Sequence, residues 1–208
     1  MPVKMAILWQ KQANGVSHEV RSAGNSVRLY TDGVFHSQYN PAHPVGGHFW
    51  DLLLLPAFFI KPDTIRRVLV LGAGGGAVMQ QLNHFLSADI IMGIDNNPNH
   101  LYAARHYFGV RQKPFRLYRA DALAWVQTYR GESFDLVIDD LYGEQDGEPS
   151  RPIAHDYKWF RMLVSLLKPN GVLAMNFISA KGFRDSAWKT DPTTRKHFAS
   201  AFRLSMDN

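Results

Sequence analysis

A glycine-rich segment and three aspartates are the residues of this chain best suited to binding a nucleoside and moving a proton. The segment follows four consecutive apolar residues and precedes a helical pattern; it consists of Gly72, Ala73, Gly74, Gly75, Gly76 and Ala77. Glycine adopts positive φ easily and lets a ligand approach the main chain, and the start of a helix presents free amide groups to a ligand. This strand–turn–helix order predicts a nucleotide or nucleoside site.

Each of the three aspartates follows a predicted strand. Asp95 can accept hydrogen bonds from both hydroxyl groups of a ribose, and Asn96 beside it belongs to the same predicted site. Asp121 can accept a hydrogen bond from the amino group of adenine, while a backbone amide at Ala122 donates one to a ring nitrogen. Asp140 would lie beyond the nucleoside, facing the reaction centre. The alternative for Asp121 and Asp140 is that they only cap the helices that follow.

Alternating strands and helices would bring these residues to one edge of a sheet. The predicted strands are residues 68–71, 88–94, 115–118, 134–139 and 172–178, and the predicted helices are 76–86, 98–108, 122–129, 156–167 and about 192–201. Repeated strand–helix units form a parallel sheet with helices on both faces, and ligands bind beyond the carboxyl ends of its strands. The predicted fold class is therefore α/β, with a doubly wound, mostly parallel, Rossmann-like sheet.

A small antiparallel unit is predicted before this sheet. Turn residues separate three short strand-like segments, residues 17–21, 27–31 and 34–39. An apolar helix is then predicted for residues 48–59, and Pro56 would end or kink it. We expect two units: a β-hairpin unit at residues 1–47, and a Rossmann-like domain at residues 48–208 that lacks the last strand usual for its class.

Composition and charge limit the class of protein. The chain has 208 residues, of which 46% are hydrophobic and 20% charged, which indicates a packed core. Cysteine is absent and the histidines lack metal-binding spacing, so we expect neither disulfides nor a metal. The basic excess lies in residues 151–208, where ten Lys and Arg face four Asp and Glu without clustering. We therefore expect a soluble, cytoplasmic protein without a membrane or nucleic-acid partner.

Several segments resemble the spermidine synthase family of polyamine aminopropyltransferases, which has the class I methyltransferase fold. They lie between about Val16 and Ser179 and comprise Leu29-Tyr-Thr-Asp32-Gly33, the run from Asp95 to Phe108, Arg119-Ala-Asp121-Ala122, Phe134-Asp-Leu-Val-Ile-Asp-Asp140 and Leu167-Lys-Pro-Asn-Gly-Val172. The resemblance implies that Asp95 replaces the ribose-binding Glu, that Asp121 reads adenine and that Asp140 is the catalytic acid. It also implies S-adenosylmethionine or its decarboxylated form as donor, with S-adenosylhomocysteine or methylthioadenosine as product.

The chain departs from the family on the side of the amine acceptor. Gly75 replaces an Asp that helps hold the aminopropyl ammonium group, and Gly143 replaces a second Asp that grips the acceptor. A gate motif Tyr-His-Glu becomes Phe-Trp-Asp at residues 49–51, and a Gln becomes His36. By position, the candidate acceptor-binding residues are His36, Trp50, Asp51, Tyr142 and Glu144.

These features favour a transferase that moves an aminopropyl or methyl group to a small amine other than plain putrescine. Acidic residues in the loop after Asp140 would suit a cationic acceptor; they are Glu144, Asp146 and Glu148. One alternative is an S-adenosylmethionine-dependent methyltransferase of a non-polyamine substrate. A second is an NAD-type dehydrogenase, since Gly72, Gly74 and Ala77 with Asp95 also fit a dinucleotide fingerprint. A third is a non-catalytic nucleoside-binding protein. Whatever its activity, the chain is a candidate homodimer.

Overall fold

The first sheet of the protein is antiparallel. In the computed structural model, which describes residues 5–145 and 148–206, its strands are β1 Met5–Ala13, β2 Val16–Ala23, β3 Ser26–Thr31 and β4 Val34–Tyr39, in the order β1-β2-β3-β4. The strand β1 pairs with β2 along its whole length, and the sequence pattern did not predict it. Most of its residues are exposed, so they show no alternation of buried and exposed positions.

The segment between the sheets contains no α-helix, and the helix predicted for residues 48–59 is present only as two short 3-10 segments. Short 3-10 turns occupy Phe49–Leu53, Leu55–Phe58 and Pro62–Thr64. Pro56 has no amide hydrogen to donate and lies in the first turn of the second of these segments. The chain instead closes i→i+3 bonds, such as that from the Ala57 amide to the Leu54 carbonyl at 3.0 Å.

The second sheet is parallel and confirms the predicted fold class. In chain order its part of the fold contains β5 Arg67–Leu71, α1 Ala77–Phe85, β6 Ile90–Asp95, α2 Pro98–His106, β7 Phe115–Arg119, α3 Ala122–Thr128, β8 Phe134–Asp139, a hairpin of β9 Gly143–Gln145 and β10 Glu148–Ser150, α4 Tyr157–Ser165, β11 Leu167–Met175, α5 Ala180–Asp185, α6 Ala187–Thr190 and α7 Pro192–Arg195. The strand order is β11-β8-β5-β6-β7.

Alternate residues of β5 enter the two cores on opposite faces of this sheet. Val68 and Val70 pack in a core shared with α1, α2 and the N-terminal sheet. Leu69 and Leu71 pack in a second core shared with α3 and α4. All four are at most 2% exposed, as expected for a parallel strand covered on both faces. The N-terminal sheet therefore covers the α1–α2 side of the molecule.

The C-terminal part differs from its prediction. The helix predicted for residues 192–201 is only the short α7, and the chain then turns so that Phe198 contacts the rings of Phe160 and Trp188. The strand predicted for residues 172–178 ends at Met175. Within residues 5–145 and 148–206, no helix has the length and apolar character needed to cross a bilayer. The division into units at residue 47 stays a prediction.

Candidate active site

The carboxyl ends of the central strands are held together by backbone hydrogen bonds. The amides of Gly72 and Ala73 donate to the carbonyl of Ile94 at the end of β6, at 2.9 and 3.1 Å. The Asp140 amide donates to the carbonyl of Leu71 at the end of β5, at 2.9 Å. The glycine-rich turn and the residue after β8 thus lie at one edge of the sheet, as the strand pattern predicts.

The glycines of the turn are needed for packing within the protein itself. Gly72 has a φ of +84°, and a Cβ atom there would lie 2.1 Å from the carbonyl oxygen of Asp140. Gly76 has a φ of +81°, and its Cβ would lie 2.6 Å from Val110. Gly74 has a φ of +52°, with the Ser37 hydroxyl 3.0 Å from its Cβ position. The positive φ of these glycines agrees with the sequence-based expectation, their contact with a ligand stays a prediction, and the structure adds close contacts with the chain itself.

Asp95 fixes the glycine-rich turn to the start of α2. Its Oδ2 accepts from the Gly74 amide at 2.7 Å, and its Oδ1 accepts from the Asn97 amide at 2.8 Å. The residue is 9% exposed, while its neighbour Asn96 is exposed. A carboxylate offers about four lone-pair sites, so Asp95 keeps acceptor capacity for hydroxyl groups. Its role with a ribose stays a prediction.

The N-terminal sheet reaches the glycine-rich turn through Ser37. Its hydroxyl accepts from the Gly75 amide at 2.9 Å, and the residue is 6% exposed. A Cβ at Gly75 would lie 2.9 Å from both the Ser37 Cβ and the Phe108 ring. The space for a side chain at this position is therefore filled. No local pattern in the sequence indicates this contact, because Ser37 lies on β4 and Gly75 lies 38 residues later, in the turn after β5.

A histidine cluster joins β2, β3 and β4 to α2. The Thr31 hydroxyl lies 2.9 Å from His100 Nε2 and 3.3 Å from His18 Nδ1. The ring of His36, a candidate acceptor-binding residue, lies 5.0 Å from that of His100. Burial lowers the pKa of His36 to about 4, and burial is also the main reason that the pKa of His18 is lowered. His36 is therefore neutral at pH 7, and its contact with a substrate stays a prediction.

Asp140 is held by a residue that the sequence analysis missed. Its Oδ1 accepts from Asn176 Nδ2 at 2.8 Å. Burial raises the pKa of Asp140 to about 6, although the Asn176 hydrogen bond acts in the opposite direction. Asn176 directly follows β11, and its amide donates to the Asp139 carbonyl at 3.0 Å. The rule that site residues follow strands would have found Asn176, but the predicted strand ran past it to residue 178.

Asp139 forms a buried polar cluster behind Asp140. It is fully buried, and its Oδ2 accepts from Arg151 Nη2 at 2.6 Å and from Trp159 Nε1 at 2.8 Å. The same guanidinium donates through Nε to the Ile153 carbonyl at 2.6 Å. Arg151 thereby fixes the base of the β9–β10 hairpin to the end of β8. The doublet of aspartates ending a strand was the available signal, since successive residues point to opposite faces.

Tyr142 lies two residues after Asp140, at the same edge of the sheet. Its hydroxyl donates to the Asn176 carbonyl at 2.6 Å, and burial raises its pKa to about 12. The phenol therefore stays protonated at neutral pH. Of the acidic loop residues, Asp146 lies outside the described residues, as do the side chains of Glu144 and Glu148.

Asp51 organises the loop that leads into the second sheet. Its Oδ2 accepts from the amides of Gly46, Gly47 and His48 at 3.0, 2.7 and 3.0 Å. Its Oδ1 accepts from the Gln81 side chain on α1. The structure gives Asp51 this structural role, and its predicted contact with the acceptor stays a prediction.

Trp50 and Asp121 make contacts within the chain. The Trp50 ring packs against Phe35 and Phe49, at centroid distances of 4.8 and 4.1 Å. Asp121 is exposed and caps α3, because its Oδ1 accepts from the Ala124 amide at 2.8 Å. For Asp140 the capping alternative is wrong, since the hairpin follows it and Asp156 caps the next helix, α4. The adenine contact of Asp121 stays a prediction.

Comparison with known proteins adds sequence relatives. A family described as "Methyltransferase domain" matches residues 63–203. Polyamine aminopropyltransferase 2 of Caldanaerobacter subterraneus subsp. tengcongensis is 26% identical over 135 residues, covering 64% of this chain and 44% of that protein. An eEF1A lysine and N-terminal methyltransferase homolog of Drosophila pseudoobscura pseudoobscura is 30% identical over 139 residues, covering 63% of this chain and 20% of that protein. The chain thus matches less than half the length of either relative.

Solved structures share the fold. A probable spermidine synthase from Corynebacterium glutamicum superposes with a TM-score of 0.71 at 13% identity, covering 86% of this chain and 68% of that one. The spermidine synthase of Thermotoga maritima superposes with a TM-score of 0.65 at 16% identity, covering 93% and 64%. These matches confirm the predicted resemblance in fold, and the family match and sequence relatives favour neither a dehydrogenase nor a non-catalytic nucleoside-binding protein.

Proposed function

Because the chain belongs to the methyltransferase-domain family, we propose that it is a transferase that alkylates an amine. The observation that carries the proposal is the placement of Asp140. A carboxyl group with a pKa of about 6 lies at the edge where the glycine-rich turn and Asp95 meet. A proton acceptor works best when its pKa is near the working pH, and this value suits an amine nucleophile that must lose a proton.

The donor side of the edge fits a nucleoside. Asp95 keeps lone pairs for two ribose hydroxyls, and Asp121 is an exposed residue whose Oδ2 is suited to accept from an adenine amino group. Asn96 is exposed beside them. S-adenosylmethionine, when bound, supplies an activated carbon on a sulfonium that leaves as a neutral thioether. The chain's own part is to place this carbon and the amine in line.

The surroundings of Gly75 favour methyl transfer over aminopropyl transfer. In the family that the sequence resembles, an acid at this position attracts the aminopropyl ammonium group. Here Ser37 and Phe108 fill the space in which such a side chain would stand. Without this acid, the ammonium of a decarboxylated donor loses its partner, and the carboxylate of intact S-adenosylmethionine meets no repulsion. We therefore propose intact S-adenosylmethionine as the donor.

The proposed reaction requires one proton acceptor. Asp140 takes a proton from the ammonium group of the acceptor, while Asn176 Nδ2 holds the carboxylate in place. The freed nitrogen lone pair forms a bond to the methyl carbon, and the carbon–sulfur electron pair stays on sulfur. The products are a methylated amine and S-adenosylhomocysteine. Tyr142 and Arg151 hold the surrounding loop in place through the Asn176 and Ile153 carbonyls.

Calorimetry followed by turnover assays tests the proposal. S-adenosylmethionine, its decarboxylated form, methylthioadenosine and NAD are titrated into the protein, and S-adenosylmethionine should bind more tightly than NAD. The purified protein is then incubated with each donor and a panel of amines, and products are identified by mass. Methylated amines should form faster than aminopropylated ones, and putrescine should be a poor acceptor. Preferential NAD binding, or efficient spermidine formation from putrescine, would contradict the proposal.

A further inference from the structure

The segment of residues 96–120, which includes the edge strand β7, carries a positive charge that no acidic residue of the same segment balances. Residues 96–120 contain five Lys and Arg and no Asp or Glu; the five are Arg105, Arg111, Lys113, Arg116 and Arg119. The whole chain has 23 Lys and Arg against 18 Asp and Glu, so this segment alone equals the net charge of +5. We call these five side chains the basic edge.

The basic edge surrounds β7, the last strand of the parallel sheet. Arg105 reaches this strand from α2, where its Nη2 donates to the Leu117 carbonyl at 3.2 Å. Leu117 packs against the α1–α2 core, so its neighbours Arg116 and Tyr118 point to the opposite face. Arg111 lies in the turn before the strand and Arg119 at its end. All five cations are exposed.

The cations of the basic edge form no ion pair with any described side chain, and their own segment, residues 96–120, contains no acidic residue. Elsewhere Arg66, Arg67 and Lys168 each form an ion pair with an Asp or Glu. Among the side chains that the structure describes, those of residues 5–143 and 150–206, no carboxylate oxygen lies within 4.0 Å of any cation of the basic edge. In residues 151–208 the positive charge is less concentrated, because ten Lys and Arg are spread over 58 residues that also contain four Asp and Glu, and Arg151, Lys168 and Lys181 are paired. The basic edge therefore presents its charge to a partner in solution.

An exposed aromatic ring stands among these cations. Tyr118 is 41% exposed and shares its face of β7 with Arg116, while Arg119 next to it points to the other face of the same edge strand. Among the described residues it has no aromatic neighbour, whereas Tyr102 on α2 stacks on His106 at 4.0 Å. Proteins bind single strands of nucleic acid by combining cations that track the phosphates with aromatic rings on which bases stack. An acidic protein would use the cations but would not need the ring.

We propose that the basic edge binds single-stranded nucleic acid, with Tyr118 stacking on a base and the five cations neutralising phosphates. This replaces the sequence-based expectation of no nucleic-acid partner, which considered only residues 151–208. The surface lies along β7, on the far side of the sheet from Asp140 and β8 in the strand order. Arg119 at the end of β7 is the strand-register partner of Asp95 of the donor side, whereas Arg111 precedes the strand and Arg116 lies near its start. Substitutions of Arg111 and Arg116 therefore test nucleic-acid binding separately from the transferase function.

Fluorescence anisotropy with a labelled single-stranded RNA of mixed sequence tests the proposal. The full chain should bind in the micromolar range near physiological salt, as is typical for contacts to phosphates. Arg111→Gln/Arg116→Gln should reduce the slope of log affinity against log salt by about 1.4, since each single-strand phosphate contact contributes about 0.7. Tyr118→Ala should weaken binding by roughly tenfold, which is the effect of removing one stacked base.

A charge-matched variant separates the basic edge from overall charge. Arg184 and Lys196 are exposed and lie outside the basic edge, so Arg184→Gln/Lys196→Gln removes the same charge elsewhere and should keep RNA affinity within about twofold. Equal losses in the two double variants would overturn the proposal. Unchanged binding by Tyr118→Ala would also overturn it, as would tighter binding of polyglutamate or duplex RNA than of single-stranded RNA. Circular dichroism confirms that each variant is folded.

Discussion

The two ends of the candidate site are built differently. On the donor side, the glycine-rich turn and Asp95 are joined by backbone amides, at 2.7 Å for Gly74 and 2.8 Å for Asn97. On the acceptor side, Asp140 is held by the side chain of Asn176, and the hairpin beside it by that of Arg151. The donor-side bonds run from main-chain amides to one carboxylate, so among side chains only Asp95 must be kept, whereas each acceptor-side bond needs its own donor side chain. This difference explains how the nucleoside half could keep its pattern while the acceptor half departs from the family.

The largest expected effect tests the chemistry of the acceptor side. Asp140→Asn keeps the shape and the contact with Asn176 but cannot take a proton. Turnover should fall by about 10²–10⁴-fold, while affinity for methylthioadenosine stays within a few-fold. In the unsubstituted protein, turnover should rise with pH through about 6, where Asp140 becomes ionised. Turnover and calorimetry measure the two effects, and equal losses in both would place Asp140 on the donor side.

The same substitution should stabilise the protein at high pH. Because the pKa of Asp140 is raised from 3.8 to about 6, its buried charge opposes folding once it ionises. Asp140→Asn should therefore increase the free energy of unfolding at pH 8 by up to ~3 kcal/mol. The gain should shrink as the pH falls through 6 and vanish near 4, where both states bind the proton. Urea unfolding at several pH values measures it, and an equal gain at every pH would contradict this account.

Removing Arg151 tests whether the acceptor side depends on a buried ion pair. Arg151→Met leaves Asp139, which is fully buried, without its cation. The free energy of unfolding should fall by about 3–5 kcal/mol, the usual cost of an unpaired buried charge. Arg66→Met is the matched control, because its pair with Asp89 is exposed and should be worth less than about 1 kcal/mol. Similar losses in the two variants would show that burial does not decide the effect.

Glycine substitutions test the donor side by backbone geometry. Gly72→Ala combines a φ of +84° with a Cβ only 2.1 Å from the Asp140 carbonyl oxygen, so it should destabilise the fold by roughly 2–4 kcal/mol. Gly15→Ala has almost the same φ, +80°, with nothing within 4 Å, and should cost about 1 kcal/mol. Thermal unfolding of both variants isolates the contribution of the contact. Equal losses would mean that φ alone requires glycine at residue 72.

The same contrast decides what could be predicted from the sequence. The donor side follows from local order, since an apolar strand, a glycine-rich turn and a helix are consecutive, and Asp95 ends the next strand. Asn176 was missed because the predicted strand ran past it to residue 178, and Arg151 because it reaches Asp139 from 12 residues away, outside any short pattern. At residues 48–59 the chain forms 3-10 segments where the apolar pattern predicts a helix. Pro56 and the hydrogen bonds of Asp51 override an apolar helical pattern.

Asp95→Ala tests the proposed ribose contact. A hydrogen bond to a charged group contributes about 1.5–3 kcal/mol, so affinity for methylthioadenosine should fall by at least roughly tenfold. The loss also frees the Gly74 amide, which Asp95 holds at 2.7 Å. Asp89→Ala provides a control, because Asp89 is exposed and pairs with Arg66 near the opposite ends of the strands. Unchanged affinity in Asp95→Ala would remove this residue from the donor site.

The smallest expected effect separates two roles of Asp121, as a helix cap and as an adenine ligand. Ser caps helices about as well as Asp, so Asp121→Ser should keep the bond to the Ala124 amide and change the free energy of unfolding by less than about 0.5 kcal/mol. The shorter side chain cannot also reach an adenine amino group. Affinity for methylthioadenosine should therefore fall several-fold in this variant, while Asp121→Ala loses the same affinity and about 1 kcal/mol of stability. Calorimetry and urea unfolding measure the two quantities on the same preparations. If Asp121→Ser binds methylthioadenosine normally, Asp121 is only a cap, and the donor side depends on Asp95 and the backbone of the glycine-rich turn.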